Sequence, residues 1–485
     1  MSLPLLSVAS EAFPLIKTGG LADVVGALPQ ALAEQGVAVR TLIPAYPAVL
    51  AEAARVGAAE SPLTPGLEAQ AGPGRLLAFT SHGRDFIALD LPQFFNREGA
   101  PYLTPEGRDW PDNPLRFAAL SRAAAEIGLH GIEGWKPAVV HAHDWQAGLT
   151  PAYLHYAGQP RPGTVITIHN IAFAGKCALS LRERMHLPPE ALLPEGVEFY
   201  GSLSLLKGGI AFADRVTTVS PTYAAEICTP EGGMGFDGIL RARGAAVSGI
   251  LNGIDTEAWD PRTDAALAAK FDPLNLIKRG ANKAELQARF GLPRSPDTLV
   301  YGVVSRLSWQ KGLDLLLQVL PELMASGAQL AVLGNGDRPL EDGFRAAMQA
   351  HPGQISCVIG YNEPLAHLVQ AGVDALLVPS RFEPCGLTQL YALRYGAVPV
   401  VGRVGGLADT IIDANPMALA AGAATGLQFS PITAEGLAAA LRRTAILYAN
   451  RTAWKQMQVN GLATDVSWRE PARHYAALYR SLAAA

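Results

Sequence analysis

Cysteine is scarce in this 485-residue chain: its four copies, Cys177, Cys228, Cys357 and Cys385, are scattered, with no pair at metal-clip or disulfide-framework spacing. A disulfide-stapled secreted scaffold is therefore excluded, and reduced thiols in a cytoplasmic protein are expected. A strong charge of either sign is also missing. Lys and Arg number 39 against 43 Asp and Glu, a formal net charge of −4. That balance argues against a dedicated nucleic-acid or membrane-surface protein, so any basic site must be local. No cation precedes Lys17, so the charged start of a signal peptide is missing. No uninterrupted apolar run is long enough to span a bilayer, and no low-complexity linker divides the chain. Apolar residues, by contrast, make up 49%. A chain this long exceeds one hydrophobic core, and two domains of ordinary size are expected.

The pattern along the chain is an alternation of short β-rich runs with helix-like runs. Strands are expected at Pro4–Ala9, Ala38–Ile43, Phe86–Leu89, Ala138–His141, Thr164–Ile168 and Arg215–Val219. After a turn-rich pause they resume at Leu299–Val304, Leu330–Leu333, Ser356–Ile359, Ala375–Val378 and Val398–Val401. Strands alternating with helices imply an α/β protein with two doubly wound, Rossmann-like domains, each a parallel sheet covered on both faces. The boundary is expected between 248 and 249, giving domains 1–248 and 249–466. Gly20–Gln35 reads as an amphipathic helix with Leu21, Val24, Val25, Leu28 and Leu32 on one stripe, kinked or restarted at Pro29. Lys278–Arg289 reads as a solvated charged helix, and the tail 467–485 as a final helix.

Gly-Gly-Leu-Ala-Asp occurs twice, at 19–23 and 405–409, each time after a strand-like run and before a helix-like one. A glycine turn feeding a helix presents backbone N–H groups and a positive dipole end to an anion. The first copy carries Lys17 just before Gly19 and Gly20. In open parallel sheets ligands lie beyond the carboxyl ends of the strands. The polar clusters fall there: His141-Ala142-His143-Asp144, His169-Asn170, Ser305-Arg306 with Gln310-Lys311-Gly312, and Ser380 to Gly386. Any one of these could be capping and turn chemistry alone. Together they suggest a cleft holding a phosphorylated ligand, with Lys17, Arg306 and Lys311 around a diphosphate and Glu383 accepting sugar hydroxyls. Two other readings are open at this point. The His141/His143 pair occurs in metal sites, although no bridging acid or further ligand set accompanies it. Cys385 could be a nucleophile, although its Pro and Gly neighbours suggest tight packing at a ligand.

Lys17-Thr18-Gly19-Gly20-Leu21, His141-Ala142-His143-Asp144-Trp145, Ser305-Arg306-Leu307 with Gln310-Lys311-Gly312, and Ser380 through Gln389 resemble the bacterial glycogen synthase and plant starch synthase family. Thr218-Val219-Ser220-Pro221, Asn252-Gly253-Ile254-Asp255 and Asp465-Val466-Ser467-Trp468 match in the same order, so the resemblance runs from residue 5 to about 480. It implies the GT-B architecture, two Rossmann-like domains facing across a deep cleft, with the last helix returning to the first, acceptor-side domain. It implies glucose transfer from ADP-glucose to the non-reducing end of an α-1,4-glucan such as glycogen, with retention of configuration and no metal or other cofactor. By motif, Lys17, Gly19 and Gly20 fall near the diphosphate, whose charge Arg306 and Lys311 neutralise. Asp144, His169 and Asn252 line the sugar pocket and Glu383 binds glucose hydroxyls. Tyr361 stacks on the base, and Cys385, Gly386, Leu387 and Thr388 contact glucose and phosphate. Retention without a visible carboxylate nucleophile suggests front-face substitution, supported by the backbone carbonyl of His169. The ADP preference rests on the resemblance alone. One departure concerns the acceptor side, where Phe173-Ala174-Gly175 has Ala in place of the family's usual Gln. A glucan phosphorylase, a sugar-nucleotide epimerase and a non-catalytic glucan or nucleotide binder are the competing classes. A phosphorylase needs a pyridoxal-phosphate lysine, and the intact Lys17, Arg306, Lys311 and Glu383 set argues against a decayed site.

Overall fold

The structure, a computed structural model, describes residues 2–158 and 160–483. The chain divides into two compact units, residues 1–252 with 468–485, and residues 253–467.

The first unit holds β1 (Leu3–Val8), β2 (Val37–Pro44), β3 (Ala59–Pro62), β4 (Arg75–Ser81), β5 (Arg84–Asp90), β6 (Val139–His143), β7 (Gly163–Ile168), β8 (Lys176–Cys177), β9 (Glu198–Phe199), β10 (Ser202–Ser204), β11 (Arg215–Thr218) and β12 (Val247–Gly249). Nine of these strands form one sheet in the order β12-β11-β7-β6-β1-β2-β5-β4-β3. From β12 to β5 it is parallel, and the strand order reverses between β1 and β6. The sheet is not wholly parallel as expected: β4 pairs antiparallel with β5, and β3 antiparallel with β4. The β4–β5 turn places His82 at φ 49° and Gly83 at φ 70°. Positive φ at both central residues is what a tight two-residue hairpin needs. β8, β9 and β10 make a small antiparallel sheet.

The helix Gly20–Glu34 buries Leu21, Val24, Val25, Leu28 and Leu32, the stripe read from the sequence. It runs through Pro29 without restarting. The final helix, Arg469–Ala483, packs Ala472, Tyr475, Ala476 and Tyr479 against Leu28, Leu32, Val139 and Val165. Each large side chain buried there contributes about 1.5–3 kcal/mol relative to exposure. This apolar face is why residues 468–485 group with the first unit although the second lies between them in sequence.

The second unit holds β13 (Val300–Val304), β14 (Gln329–Gly334), β15 (Ile355–Ile359), β16 (Ala375–Val378), β17 (Val398–Gly402) and β18 (Leu427–Phe429). All pair in parallel, in the order β15-β14-β13-β16-β17-β18. Counting β13 as the first strand, this is the 3-2-1-4-5-6 order of a dinucleotide-binding fold, with its reversal between β13 and β16. The helix Arg279–Arg289 is not simply solvated. Its Arg279, Asn282, Lys283 and Gln287 are buried. Lys283 Nζ lies within hydrogen-bond distance of Asp374 Oδ2 at 2.7 Å, Tyr448 Oη at 3.0 Å and two carbonyls, which share its three N–H donors. The Arg279 guanidinium caps the carbonyls of Val373 and Tyr395, and burial lowers its pKa to about 10. A run of charges reads as a solvent face only when no buried partner waits for it, and here Asp374 does. Among the described residues, no helix is long and apolar enough to cross a membrane.

Candidate active site

In the second unit the order reversal between β13 and β16 brings two loops together, Ser305–Gly312 and Ser380–Gly386. They are laced by backbone and side chain: Arg381 N–H donates to Gln310 O at 2.9 Å, and Gln310 Nε2 to Phe382 O at 3.3 Å. The central contact is Lys311 Nζ to Glu383 Oε2 at 2.6 Å, with Ser380 Oγ donating to the same oxygen at 2.9 Å. Glu383 is buried, whereas the Lys311 side chain keeps 23% of its surface exposed. Lys311 is held at this depth by Gly312, at φ 67°, where a Cβ would come 2.0 Å from the Pro379 carbonyl oxygen. Arg306 is exposed and makes no ion pair among the described residues.

Past Glu383 the chain turns through buried Cys385 and Gly386 (φ 75°) into the helix Thr388–Tyr395, capped by Leu387 with no side-chain hydrogen bond. An uncapped helix start with its N–H groups beside a buried carboxylate and a lysine is suited to a phosphate ester. Tyr361 follows β15, is 73% exposed, and donates its hydroxyl to Glu363 Oε2 at 2.9 Å. The structure thus gathers Lys311, Glu383, Cys385, Gly386, Leu387 and Thr388, and places Arg306 and Tyr361 on loops leaving β13 and β15.

The second Gly-Gly-Leu-Ala-Asp copy does something other than expected. It opens only a six-residue helix, Gly405–Thr410, and Gly406 N–H donates to the carbonyls of Glu383 and Pro384 at 3.0 and 3.2 Å. A Cβ at Gly405 would come 2.0 Å from Glu383 O, and one at Gly406 2.3 Å from Cys385 O. These glycines let the turn press against the Glu383–Cys385 backbone and brace it. That N–H is taken by protein carbonyls rather than offered to an anion.

In the first unit the reversal lies between β1 and β6. Lys17, Gly19 and Gly20 end an irregular segment after β1, and Gly19 is the N-cap of the Gly20–Glu34 helix without a side-chain cap. Lys17 Nζ pairs with Asp23 Oδ1 at 2.8 Å. The loop's own donors already hold a carboxylate, that of buried Glu11. Its Oε2 accepts from Thr18 N–H at 2.5 Å and Gly19 N–H at 3.3 Å, and its Oε1 from the Thr18 and Tyr102 hydroxyls at 2.8 and 2.7 Å. Sequence reasoning missed Glu11 and Tyr102; the available signal was an acid three residues beyond β1.

Asp144 follows β6 at φ 55°, and its Oδ1 accepts from the N–H groups of His169 and Asn170 at 2.7 and 3.3 Å. Burial nonetheless raises its pKa to about 7, because two N–H bonds offset only part of the lost hydration. His169 Nε2 lies 3.0 Å from His143 Nδ1, and His143 Nε2 lies 3.2 Å from Ser7 Oγ. His141 is bound by Tyr479 Oη at 2.7 Å and Thr167 Oγ1 at 2.6 Å. Both ring nitrogens of His141 and of His143 therefore serve the protein's own network. Burial lowers His141 and His169 to about 3 and His143 well below its ordinary value, so all three are neutral near pH 7. Asn252 is buried, and its Oδ1 has no hydrogen-bond partner among the described residues. At the departure from the family pattern, Ala174 packs on the core and its carbonyl accepts from Ser204 Oγ at 2.6 Å, while Phe173 is exposed.

Two doubly wound units, each with polar groups gathered where its strand order reverses, define the class as a GT-B glycosyltransferase. The family model for the starch synthase catalytic domain matches residues 4–242, and that for glycosyl transferases group 1 matches residues 285–457. The glycogen synthase of Rhodopseudomonas palustris strain HaA2 is 58% identical over 483 residues, 99% of each chain. That of Methylocella silvestris is 56% identical over 482 residues, again 99% of each. Among solved structures, the catalytic domain of starch synthase IV from Arabidopsis thaliana, bound to ADP and acarbose, superimposes with a TM-score of 0.87 at 29% identity, covering 100% of both chains. Sucrose-phosphate synthase from Thermosynechococcus elongatus, with a TM-score of 0.59 and 18% identity over 99% of both chains, shares the fold. The chain belongs to the glycogen/starch synthase family and is a hexosyltransferase.

Proposed function

We propose that this enzyme transfers glucose from ADP-glucose to the non-reducing end of an α-1,4-glucan, with retention of configuration and without a divalent metal. The observation that carries the reading is the Lys311–Glu383 pair beside the uncapped start of the Thr388–Tyr395 helix. An ammonium has three donors. One goes to Glu383 and two are left for phosphate oxygens, joined by the N–H groups of Leu387 and Thr388 and by the exposed guanidinium of Arg306. These fixed positive groups take up the charge of the departing diphosphate without reorganising, which is the work a metal would otherwise do. Glu383 Oε2 is occupied by Lys311 and Ser380. Its Oε1 is left to accept from glucose hydroxyls.

The first unit's groups are assigned by the family motif. Lys17, Gly19 and Gly20 belong to the phosphate side. Asp144, His169 and Asn252 belong to the sugar, and the unpartnered Oδ1 of Asn252 fits an acceptor for a hydroxyl. In the front-face reading, the bond from the anomeric carbon to the phosphate oxygen breaks as the bond to the acceptor oxygen forms on the same face. The acceptor's proton passes to the leaving phosphate, and the His169 carbonyl supports the developing cation. Starch synthase IV's complex with ADP and acarbose supports a nucleoside diphosphate and a glucan mimic as the ligand classes. The four free cysteines fit a cytoplasmic setting.

The test is glucose transfer to glycogen from ADP-glucose and from UDP-glucose, with EDTA present. Strong ADP-glucose turnover is expected, with an α-linked product. Turnover from UDP-glucose alone overturns the donor assignment, and loss of activity in EDTA overturns the metal-free charge stabilisation. Binding without transfer from either donor overturns the reaction.

A further inference from the structure

Trp309 is the only tryptophan among the exposed large apolar side chains of the described residues, at 60% exposure. It stands two residues before Lys311 in the loop leaving β13. Exposure of a ring this large is unfavourable, and here it is also fixed. The Arg381 guanidinium lies 4.5 Å from the ring centroid and covers one face. Arg381 is in turn locked by a two-pronged pair with Asp314, at 2.6 and 2.7 Å, and by an N–H bond to the Trp309 carbonyl at 2.6 Å. Its two terminal nitrogens are therefore bound to protein, which makes Arg381 a brace behind the ring rather than a ligand group.

A rigid indole with much of its surface open to water, on the loop that carries Lys311, is a stacking platform. Its flat face matches two ring types the reaction would bring: a nucleobase and the C–H face of a pyranose. In the family assignment the base falls to Tyr361, on the loop after β15. Trp309 sits instead on the loop laced to Ser380–Gly386, which carries the glucose-binding carboxylate. We infer that Trp309, held by Arg381, is a subsite for a glucose unit of the glucan chain and sets affinity for the acceptor rather than for the donor. This rests on the proposed glucan-transfer reading.

The test compares the wild type with Trp309→Ala and Trp309→Phe, varying glycogen or maltoheptaose at saturating ADP-glucose, then varying ADP-glucose at saturating glycogen. Loss of one aromatic stack predicts a roughly three- to tenfold rise in glucan KM for Trp309→Ala, most of it recovered in Trp309→Phe, with donor KM little affected. Unchanged glucan KM overturns the inference. A rise in ADP-glucose KM overturns it too, since the ring then serves the nucleotide or merely braces the Lys311 loop. If the wild type transfers no glucose, the reaction reading has failed on its own. The subsite is then judged by calorimetric binding of maltoheptaose to wild type and Trp309→Ala, where equal affinity overturns it.

Discussion

Lys311 Nζ sits 2.6 Å from Glu383 Oε2, an ion pair 72 residues apart in sequence that exists because β13 and β16 are neighbours where the strand order reverses. Each partner thereby fixes the other's position before a donor arrives. Lys311→Ala is expected to lower kcat by about 10²–10³, the usual consequence of losing one charge-stabilising group. Glu383→Ala should lower it by a similar factor, because it loses both the anchor of Lys311 and the acceptor for glucose hydroxyls. The pairing adds a second expectation. Lys311→Ala leaves a buried carboxylate held only by Ser380, so it should lower stability by about 1–3 kcal/mol. The double variant should regain part of that loss. Urea unfolding checks the stability and steady-state kinetics the rate; near-normal kcat in either single variant removes the role given to that residue.

Glu11 makes the first glycine loop a preshaped element. Its carboxylate takes two N–H and two O–H donors from Thr18, Gly19 and Tyr102. Glu11→Ala frees all four. The expected outcome is a donor KM raised by roughly tenfold or more, since hydrogen bonds to a charged group are each worth about 1.5–3 kcal/mol. Tyr102→Phe removes one of the four and should show a smaller effect in the same direction. An unchanged donor KM in Glu11→Ala would mean that the loop keeps its shape without the carboxylate.

Most of the parallel strands were legible as short apolar runs, whereas β12 and β18, three residues each, are too short to show a pattern. The antiparallel edge strand β3 was not legible, because Ala59-Glu60-Ser61-Pro62 lacks the β-branched and aromatic residues that announce a strand. The buried face of Arg279–Arg289 was hidden because its partner Asp374 is 91 residues from Lys283. The repeated Gly-Gly-Leu-Ala-Asp shows the limit most directly. Both copies start helices, yet one braces the Glu383 backbone and the other is filled by Glu11, and sequence identity cannot say what a cradle holds. Residue types and their order along the chain were readable; partners brought in by tertiary pairing were not.

Acid stability should be set by a buried imidazole cluster. His141, His143 and His169 are held neutral by burial, with His141 and His169 at about 3, whereas in the unfolded chain they titrate near about 6.5. Unfolding below that pH therefore takes up about three protons, so their contribution is full above about pH 6.5 and is lost as pH falls toward 3. Asp144 has the opposite sign. Its carboxyl is raised to about 7 by burial, so between the unfolded value of 3.8 and 7 unfolding releases one proton, and stability falls as pH rises. The three imidazoles outweigh the one acid. Each proton of difference is worth about 1.4 kcal/mol per pH unit. Urea midpoints measured from pH 7.5 down to 4.5 should fall, and fall more steeply in Asp144→Asn, where the opposing proton is gone. Equal slopes for the two proteins would count against a buried, protonated Asp144.

A polar contact inside an apolar interface ties the final helix to the first sheet. Tyr479 is fully buried, and its hydroxyl lies 2.7 Å from His141 Nδ1. The other nitrogen of that ring, Nε2, lies 2.6 Å from Thr167 Oγ1, which in turn lies 2.6 Å from Thr217 Oγ1. The imidazole thus bridges Tyr479 to Thr167 and, through it, to Thr217, so the strands β6, β7 and β11 share one hydrogen-bonded chain. Tyr479→Phe keeps the ring and its stacking on Tyr475, 5.9 Å between centroids, and removes only the hydroxyl. The imidazole nitrogen it leaves is buried away from water. The expected cost is about 1–3 kcal/mol in urea unfolding, the range for a buried polar atom left unsatisfied. Tyr479→Ala should cost more, because the ring's packing against Val139 and Val165 is lost as well. A Tyr479→Phe protein as stable as the wild type would show that His141 finds another partner and that apolar packing alone anchors the helix.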